Sequence, residues 1–414
     1  MRRYLRRMRD HIYTSAGLYR LAEGFSTFAV VHVAFLIFTS LQGVFINTLF
    51  IRLTGDSNLV MYYNIITNCF SGPTMLLSSF LARRTSPTHS LRLGILFHIC
   101  MYITFFASLN HLGTAMPLIA ALAGLGNGCY WFSYSYIINV YSTDESRDLA
   151  ISLIGVLAGA VSLTVPALSG LVIAQFEGIA GYAVMFGFSL CMAVVTILIS
   201  AKLSPVAPAD RHSHLRELLQ VIRGNRLYAL SFTGEFFKCV REGVCAFLFN
   251  ILLFEAVTNE AIVGVNTLLS GVVSILGAFV YGKIVSSKNR ILSMGVSCTL
   301  LLGCALLLFV QLSPLTIILY STLNAALGVF LMNPAFTISY QLVLGSERSR
   351  GAMEEFIGLR ECCIVFGRVC GILFTLCMPK TTFGYVATIV LLTAAQYIMV
   401  LVFRYVQRHY QKEA

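Results

Sequence analysis

A charged segment, GEFFKCVREG at positions 234–243, interrupts a run of otherwise apolar residues. It contains Glu235, Lys238, Arg241 and Glu242. Neighbouring carboxylates and cations can bind a charged solute and exchange protons, or they can form ion pairs that only hold helices together. Successive helical residues are rotated by about 100°. We therefore expect a charged stripe along one face of a helix, with Arg241 at its margin.

A second group of charges, Arg360, Glu361 and Arg368, lies in another apolar stretch. With a helical rise of about 1.5 Å per residue, we expect Glu235 at the depth of Arg360 and Glu361, and Glu242 at the depth of Arg368. A cation at the centre of a membrane helix costs about 2.5–3.5 kcal/mol on insertion scales, so such residues are candidates for a function. Two interpretations remain open. The charges form an ion-pair network that joins two helices, or some of them face a cavity and bind a solute or a coupling ion.

A histidine and a threonine lie at a constant distance along the sequence before two residues of the charged stripe. His32 precedes Glu235 by 203 residues, and Thr39 precedes Glu242 by the same spacing. If the chain contains two halves related by symmetry, these two side chains and Gly43 face the charged stripe across a central space. Imidazole titrates near neutral pH, which suits proton transfer. A lone histidine in a helix can equally be a hydrogen-bonded packing residue.

Polar and aromatic residues form two further stripes at helical spacing. Asn127, Tyr130 and Tyr134 recur at i, i+3 and i+7, and Asn333 begins a similar stripe beside Pro334. Such stripes suit the wall of a solute cavity. Tyrosine near the end of a membrane helix can instead belong to the aromatic belt at the interface, and both interpretations remain open.

Two acidic residues, Glu354 and Glu355, stand early in the same apolar stretch as Arg360. A helix N-terminus favours negative charge. We therefore expect Glu354 and Glu355 to serve helix capping and solvation at the membrane interface.

The elements that must position these residues are membrane helices. Of the 414 residues, 57% are hydrophobic and 11% are charged. This hydrophobic fraction exceeds the apolar content that the core of a soluble protein needs. A bilayer core of about 30 Å requires about 20 apolar residues per helix, whereas the strands of a β-barrel are about half as long. The sequence therefore predicts an all-α membrane protein with twelve transmembrane helices. The predicted spans are 25–50, 58–81, 90–109, 113–141, 148–173, 179–201, 228–255, 260–286, 290–311, 314–343, 352–378 and 382–405.

Positive charge is distributed unevenly between the loops. One side receives the N-terminal run MRRYLRRMR and loop residues such as Arg211, Arg348 and Arg350, whereas the opposite loops contain only Arg52 and Lys380. Positively charged loops stay cytoplasmic, so both termini are predicted in the cytoplasm of a multi-pass cell-membrane protein. The net charge of +11 then reflects topology and contact with anionic membrane lipids, and we expect no nucleic-acid partner. All twelve cysteines fall within spans, which gives no indication of a disulfide framework, a metal site or a cofactor.

The longest polar stretch divides the spans into two sets of six. Residues 202–227 are predicted to form a cytoplasmic linker between an N-terminal bundle, residues 1–201, and a C-terminal bundle, residues 228–414. The two sets are also related in sequence. SRDLAISLIG, which enters the fifth span, matches SRGAMEEFIG, which enters the eleventh, and the spacing is again 203 residues.

With six plus six spans and a basic central loop, the chain resembles the major facilitator superfamily of secondary transporters over residues 20–406. The family's loop between spans two and three, G-x-x-x-D-R-x-G-R-[RK], corresponds to SFLARRTSPT, which keeps Arg84 and has Arg83 in place of the aspartate. The antiporter element G-P-x-x-G-G corresponds to VPALSG, which keeps Pro166 and Gly170. The resemblance implies two pseudo-symmetric bundles around a central cavity lined by spans one, four, seven and ten, which rock to alternate access.

The predicted function is secondary active transport of a small, anionic or zwitterionic solute by a monomer coupled to a proton or another ion. Lys238 is the favoured cation for the solute because it lies nearer the middle of the carboxylate stripe than Arg241 and near mid-membrane, and Glu235 or Glu242 is the favoured proton carrier. An alternative is a sensor or scaffold that has a transporter fold without transporting, which the altered loop motif favours. No pairing of a nucleophile with a base and no nucleotide-binding motif indicates an enzyme.

Overall fold

The chain folds into long α-helices, as seen in a computed structural model that describes residues 24–141, 147–206, 214–257, 259–286, 288–344 and 352–413. The helices are α1 (Phe25–Thr54), α2 (Ser57–Arg84), α3 (Pro87–Ala107), α4 (Leu112–Val140), α5 (Arg147–Ile173), α6 (Ala180–Ser200), α7 (Leu215–Gly224), α8 (Arg226–Val257), α9 (Glu260–Ile284), α10 (Arg290–Val310), α11 (Pro314–Leu344), α12 (Met353–Cys377) and α13 (Thr382–Glu413). The N-terminal basic run and the loop residues Arg211, Arg348 and Arg350 lie outside the described residues.

Twelve of these helices correspond to the twelve predicted spans. Helices α1 to α6 and α8 to α13 begin and end within four residues of the expected limits, except that α13 continues to Glu413. Ten of the twelve are long and apolar enough to cross a membrane. The other two, α8 and α12, contain the two groups of charges found in the sequence. The all-α class is confirmed, and α7 is a short helix within the predicted linker.

Equivalent capping residues set the helix ends in both halves. Gly55 follows α1 in a left-handed conformation, with φ 66°, and Asp56 then caps α2 by accepting a hydrogen bond from the backbone N–H of Asn58 at 2.8 Å. Asn259 caps α9 in the same way through the N–H of Ala261 at 2.9 Å. Asp56 and Asn259 are 203 residues apart, so the internal repeat includes its turns.

The two halves form six-helix bundles with the same arrangement of neighbours. In the first half, α1 packs on α5 and α6, and α4 packs on α2 and α3. In the second half, α8 packs on α12 and α13, and α11 packs on α9 and α10. Large apolar side chains remain exposed on the outside, such as Val310 at 82% and Leu292 at 69%, as expected of surfaces that face lipid. The predicted pair of pseudo-symmetric bundles is confirmed.

The bundles contact each other mainly through α1 with α8, α2 with α12 and α5 with α9. Helices α5 and α9 approach closely at glycines. A Cβ added to Gly170 would lie 2.6 Å from the carbonyl oxygen of Glu260, and one added to Gly264 would lie 2.9 Å from that of Pro166. Small residues permit such close approach of membrane helices. Pro166 and Gly170, which contributed to the family resemblance, therefore have a packing role.

An ion pair with a buried carboxylate joins the bundles at the end remote from α7, which we call the opposite side. Arg52 of α1 pairs with Glu260 of α9, and the Glu260 carboxylate also accepts a hydrogen bond from the Tyr182 hydroxyl at 2.9 Å. Glu260 is 3% exposed. The first and last turns of two helices from different bundles are thus tied together on this side.

A second ion pair joins the bundles at the end where α7 lies, which we call the linker side. Arg83 of α2 pairs with Glu355 of α12 at 2.6 Å, and the same carboxylate accepts a hydrogen bond from the backbone N–H of His214 at 3.1 Å. The expectation that Glu355 serves capping and interface solvation is wrong, because a partner in the other bundle compensates its charge and it is fully buried. The side chain of Glu354 lies outside the described residues.

Candidate functional site

Helices α8 and α12 form one closely packed unit. A Cβ added to Gly371 of α12 would lie 1.9 Å from the carbonyl oxygen of Val240, and one added to Gly367 would lie 2.4 Å from another carbonyl oxygen of α8. Gly243 of α8 is covered in turn by the side chain of Arg368. Because these positions lack side chains, the two backbones come close together. The charged residues of both helices therefore lie within hydrogen-bonding distance of each other.

Glu235 is the centre of a buried ion-pair network. It is fully buried and pairs with Lys238 on α8 and, at 3.0 Å, with Arg360 on α12. The hydroxyl of Ser339 on α11 donates a further hydrogen bond at 2.9 Å. The predicted common depth of Glu235 and Arg360 is confirmed. Because both carboxylate oxygens have charged partners and solvent does not reach them, Glu235 is held as an anion.

Arg360 connects this network to an accessible face of α11. Its guanidinium pairs with Glu361 at 3.0 Å, and 25% of the Glu361 side chain is exposed. The same guanidinium lies 5.2 Å from the ring centroid of Phe336 and 5.8 Å from that of Tyr340. Asn333, about one turn from Phe336, is exposed. The stripe that begins at Asn333 therefore lies beside the charged network and can be reached from outside the bundle.

A second ion pair of the α8–α12 unit is more accessible than the first. Arg368 donates to Glu242 at 2.9 Å, which confirms their predicted common depth. The exposed fraction is 31% for the Glu242 side chain and 34% for the Arg368 side chain. The thiol of Cys239 also donates to Glu242 at 3.3 Å. Glu242 is thus a carboxylate that solvent can reach, whereas Glu235 is sealed.

Arg241 differs from the other cations because its hydrogen-bond partners are neutral. It is 4% exposed and donates to Thr393 on α13 at 2.9 Å, to Tyr320 on α11 at 3.1 Å, and to the amide oxygen of Asn324. Among the described residues, no carboxylate lies within ion-pair distance of Arg241. Neutral oxygens satisfy the N–H donors without compensating the charge. Arg241 is therefore a buried cation that has no counter-ion in the described part of the chain.

The charges in the middle of α8 and α12, at positions 235–242 and 360–368, do not cancel. Four cations meet three carboxylates, which leaves one positive charge within the C-terminal bundle. The cations are Lys238, Arg241, Arg360 and Arg368, and the carboxylates are Glu235, Glu242 and Glu361. Uncompensated charge is costly within a membrane, so this region has a net positive charge that requires an explanation.

In the N-terminal bundle, His32 lies in an aromatic cluster that joins α1 to α4. His32 is 2% exposed, its Nδ1 lies 3.0 Å from the Tyr130 hydroxyl, and its ring stacks on that of Tyr134 with centroids 4.3 Å apart. Trp131, which is 38% exposed, meets the imidazole edge-on at 5.9 Å. The structure thus brings three predicted site residues together. Tyr134 and Trp131 are the members that remain accessible.

The remaining predicted site residues stand apart from these groups. Thr39 is half-buried and donates to the backbone carbonyl oxygen of Phe35 at 2.8 Å. Asn127 is half-buried on α4. Gly43 borders open space, since no atom lies within 4 Å of a Cβ added to it. In the part of the chain that the structure describes, no three His, Cys, Asp or Glu side chains are grouped so that they could hold a metal ion.

Sequence reasoning missed the neutral partners of Arg241 and the ion pairs between the bundles. Asn324 on α11 and Thr393 on α13 stand in apolar spans without a charged neighbour, so no local pattern marks them. Arg52 and Glu260 are 208 residues apart. Neither has a feature in its own helix that points to the other.

The fold is that of solved membrane transporters. The chain superposes on an inward-facing structure of a bacterial homologue of the iron transporter ferroportin with a TM-score of 0.68 and 14% identity, over 92% of this chain and 98% of that one. It superposes on the E. coli fucose:proton symporter FucP with a TM-score of 0.64 and 10% identity, over 93% and 99% of the two chains. At these identities the likeness shows the fold alone.

A family model identifies the family, and two proteins are similar to the chain in sequence. The chain is 25% identical over 338 residues to the uncharacterized protein YqgE of Bacillus subtilis (strain 168), which is 81% of this chain and 77% of that protein. It is 26% identical over 172 residues to an uncharacterized protein encoded in the sodM 3' region of Geobacillus stearothermophilus, which is 42% of this chain and 79% of that protein. The model of the Major Facilitator Superfamily matches residues 27–354, which is most of the chain, and this protein therefore belongs to that superfamily of secondary transporters.

Proposed function

We propose that this protein moves a small solute bearing an anionic group, as an anion or a zwitterion, across the cytoplasmic membrane by alternating access coupled to protons. Membership of the superfamily supports transport and favours it over an enzymatic activity. The observation that carries the choice of solute is the buried cation Arg241, whose hydrogen-bond partners are neutral.

Arg241 has no described carboxylate partner that a solute anion would have to displace, whereas Lys238 has one. Lys238 already pairs with Glu235, so an anion would have to displace a buried carboxylate. Arg241 has no such competitor, and its Nη1 group makes no hydrogen bond with a described residue. A hydrogen bond to a charged group contributes about 1.5–3 kcal/mol. We therefore assign anion binding to Arg241 in place of Lys238, the cation that the sequence favoured.

Proton coupling is assigned to Glu242 in place of Glu235. Protonation of Glu235 would leave Lys238 without a counter-charge, and Arg360 with Glu361 alone, in a region closed to solvent, which opposes proton exchange. Glu242 has a single cationic partner, Arg368, and 31% of its side chain is exposed. Protonation of Glu242 frees one guanidinium. Proton binding and anion binding are then linked through the charge of the same bundle.

Access to these residues is proposed to alternate as the bundles rock against each other. On the opposite side, the close approach of Gly170 to Glu260 and the ion pair of Arg52 with Glu260 hold the bundles together. On the linker side, Arg83 and Glu355 join α2 to α12, while α4 and α11 share no extensive packing within the described ranges. We assign the linker side to the cytoplasm from the distribution of Lys and Arg. This arrangement supports a state in which a solute enters from the cytoplasm between α4 and α11.

Thermal unfolding of the purified protein with a panel of organic anions, zwitterions and cations tests the solute class. A ligand that binds only the folded state raises its stability. For a stabilising anion or zwitterion, Arg241→Gln should weaken binding by about tenfold or more, because one charge-assisted hydrogen bond is lost. Arg241→Lys keeps the charge and should lose less. Arg92→Gln is the matched control, since Arg92 also donates to neutral carbonyl oxygens, those of Ser200 and Leu203, but lies in the other bundle.

Transport of the same solute is then measured in proteoliposomes by counterflow and by uptake driven by a pH gradient. We expect both in the parent protein. The anion assignment fails if Arg241→Gln binds the solute as tightly as the parent does, or if only cations stabilise the protein. Binding without flux in either assay would instead identify a sensor or scaffold that has a transporter fold.

A further inference from the structure

A groove of about 750 Å³ lies on the outer surface between α10 and α13. Its walls include Leu292, Val296 and Leu300 from α10 and Leu401 from α13. All four side chains are about half exposed or more. On a membrane helix such apolar surface faces hydrocarbon. The groove is therefore open to lipid and lies outside the α8–α12 unit.

The groove runs from the linker side toward the middle of the membrane. Helix α10 begins on the linker side and α13 ends there, so the mouth of the groove is formed by Lys288, Arg404 and Arg408. Eleven residues beyond Lys288, the hydroxyl groups of Thr299 and Tyr397 are hydrogen-bonded to each other at 2.7 Å. At 1.5 Å per helical residue, this bond lies about 16 Å from the mouth. The apolar length between mouth and bond accommodates a large part of an acyl chain.

The mouth is positively charged. Lys288, Arg404 and Arg408 are exposed, and none of them forms an ion pair with another described residue. The residues that line the groove include no Asp or Glu. The first turn of α10 also has no acidic residue, so the partial positive charge of the helix N-terminus adds to that of the side chains. The mouth therefore suits an anion.

We propose that this groove binds one anionic phospholipid, with the phosphate at Lys288, Arg404 and Arg408 and an acyl chain between α10 and α13. A free phosphate ion would leave the apolar walls uncovered, and a zwitterionic lipid would bring an ammonium group next to the three cations. A lipid that is both anionic and amphiphilic matches the two parts of the groove together. Basic pockets between membrane helices near the surface recognise acidic headgroups in this way.

Native mass spectrometry of the detergent-purified protein with phosphatidylglycerol or phosphatidylethanolamine tests the proposal. The parent should retain phosphatidylglycerol selectively. Replacing the three mouth residues by glutamine should lower its affinity for phosphatidylglycerol about a hundredfold, because each basic residue near the surface contributes to binding an acidic headgroup. The control variant removes three exposed basic residues of the linker side that do not line the groove, and it should bind as the parent does. These control residues are Lys202, Arg216 and Arg223.

A second variant fills the groove and leaves the charges in place. Gly295 lines the groove, and a Cβ added there would lie 4.0 Å from its nearest neighbour, the Cγ1 atom of Val400. Gly295→Leu therefore fits the fold and occupies the space of the acyl chain. We expect it to weaken phosphatidylglycerol binding about tenfold or more, since several methylene contacts are lost. Thermal unfolding without added lipid should be unchanged.

Results of three kinds would overturn the proposal. The first is equal retention of phosphatidylethanolamine and phosphatidylglycerol by the parent. The second is an equal loss of binding in the control variant and in the mouth variant. The third is unchanged binding in Gly295→Leu, or displacement of the lipid by an equal concentration of glycerol phosphate, since either would mean that the apolar walls contribute nothing.

Discussion

Neutralising Glu235 and neutralising Glu242 are expected to have different consequences, although both are carboxylates on α8 about two turns apart. Glu235→Gln removes the charge that Lys238 and Arg360 share in a fully buried network. Glu242→Gln removes the partner of Arg368, a cation that is 34% exposed. The first change should therefore reduce stability, and the second should reduce coupling.

The expected magnitudes follow from burial. Removing one member of a buried ion pair costs about 3–5 kcal/mol, because the remaining charge has neither water nor a counter-ion. Glu235→Gln leaves Lys238 in this state, whereas Arg360 keeps Glu361 as a partner, so we expect a loss within that range. For the partly exposed Glu242, solvent screening limits the loss to about 0–1 kcal/mol. Four cysteines are buried, so a thiol-reactive dye can follow thermal unfolding. Glu235→Gln should melt several degrees lower than the parent, and Glu242→Gln within about 2 °C of it.

Counterflow and pH-driven accumulation, measured in the same proteoliposomes, give the second readout. Glu242→Gln should exchange solute but fail to accumulate it, since the proton no longer has a site. Glu217→Gln is the control, because the Glu217 side chain is 60% exposed on α7 and pairs with His214, outside the ion-pair networks of α8 and α12. Accumulation by Glu242→Gln at the rate of the parent would refute the coupling role of Glu242. An unchanged melting temperature in Glu235→Gln would refute the structural role of Glu235.

Packing and topology give two further expectations. Gly371→Val should prevent recovery of folded protein, since a Cβ there would lie 1.9 Å from the Val240 carbonyl oxygen. Gly303→Ala is the control, because no atom lies within 4 Å of a Cβ added at that position, and it should leave the size-exclusion profile unchanged. A monodisperse Gly371→Val protein would contradict the close α8–α12 contact. A cysteine introduced at Asn110 should react with an impermeant maleimide added to intact cells, above the background of the parent, and one introduced at Gln220 should not. The reverse pattern would place the linker side outside the cell.

The charged stripe shows how far helical geometry allows prediction from sequence. Rise and rotation per residue depend only on the backbone, and they correctly placed Glu235 beside Arg360 and Glu242 beside Arg368. The helical rise also made it possible to locate the twelve spans, because the thickness of the bilayer sets the length that each helix must have. Geometry along one helix does not decide which partner a flexible side chain takes. Lys238 pairs with Glu235 on its own helix, and so it is not the free cation that the sequence favoured.

Contacts between the bundles could not be predicted in this way. Glu355 stands at the start of a helix, where a local rule accounts for its charge without a partner, yet Arg83 binds it from 272 residues away. Their meeting depends on how closely α2 packs on α12. That packing depends on small residues such as Gly72, where an added Cβ would lie 3.1 Å from Val365. A single sequence shows the small residue but not the helix that it will contact.

The charges of α8 and α12 explain why these two helices are less apolar than the other spans. If either helix were alone in lipid, each ionised residue would raise its free energy of insertion by about 2.5–3.5 kcal/mol. When the two helices lie side by side, the contact at Gly371 brings their backbones close together. The ion pairs that then form offset most of this cost. No such ion pair compensates the charge of Arg241, because this side chain turns toward α11 and α13, where its hydrogen-bond partners are neutral. A protein that places three carboxylates in the middle of these helices and still leaves this cation without a counter-ion keeps a position for an anion, and we infer that the solute supplies it.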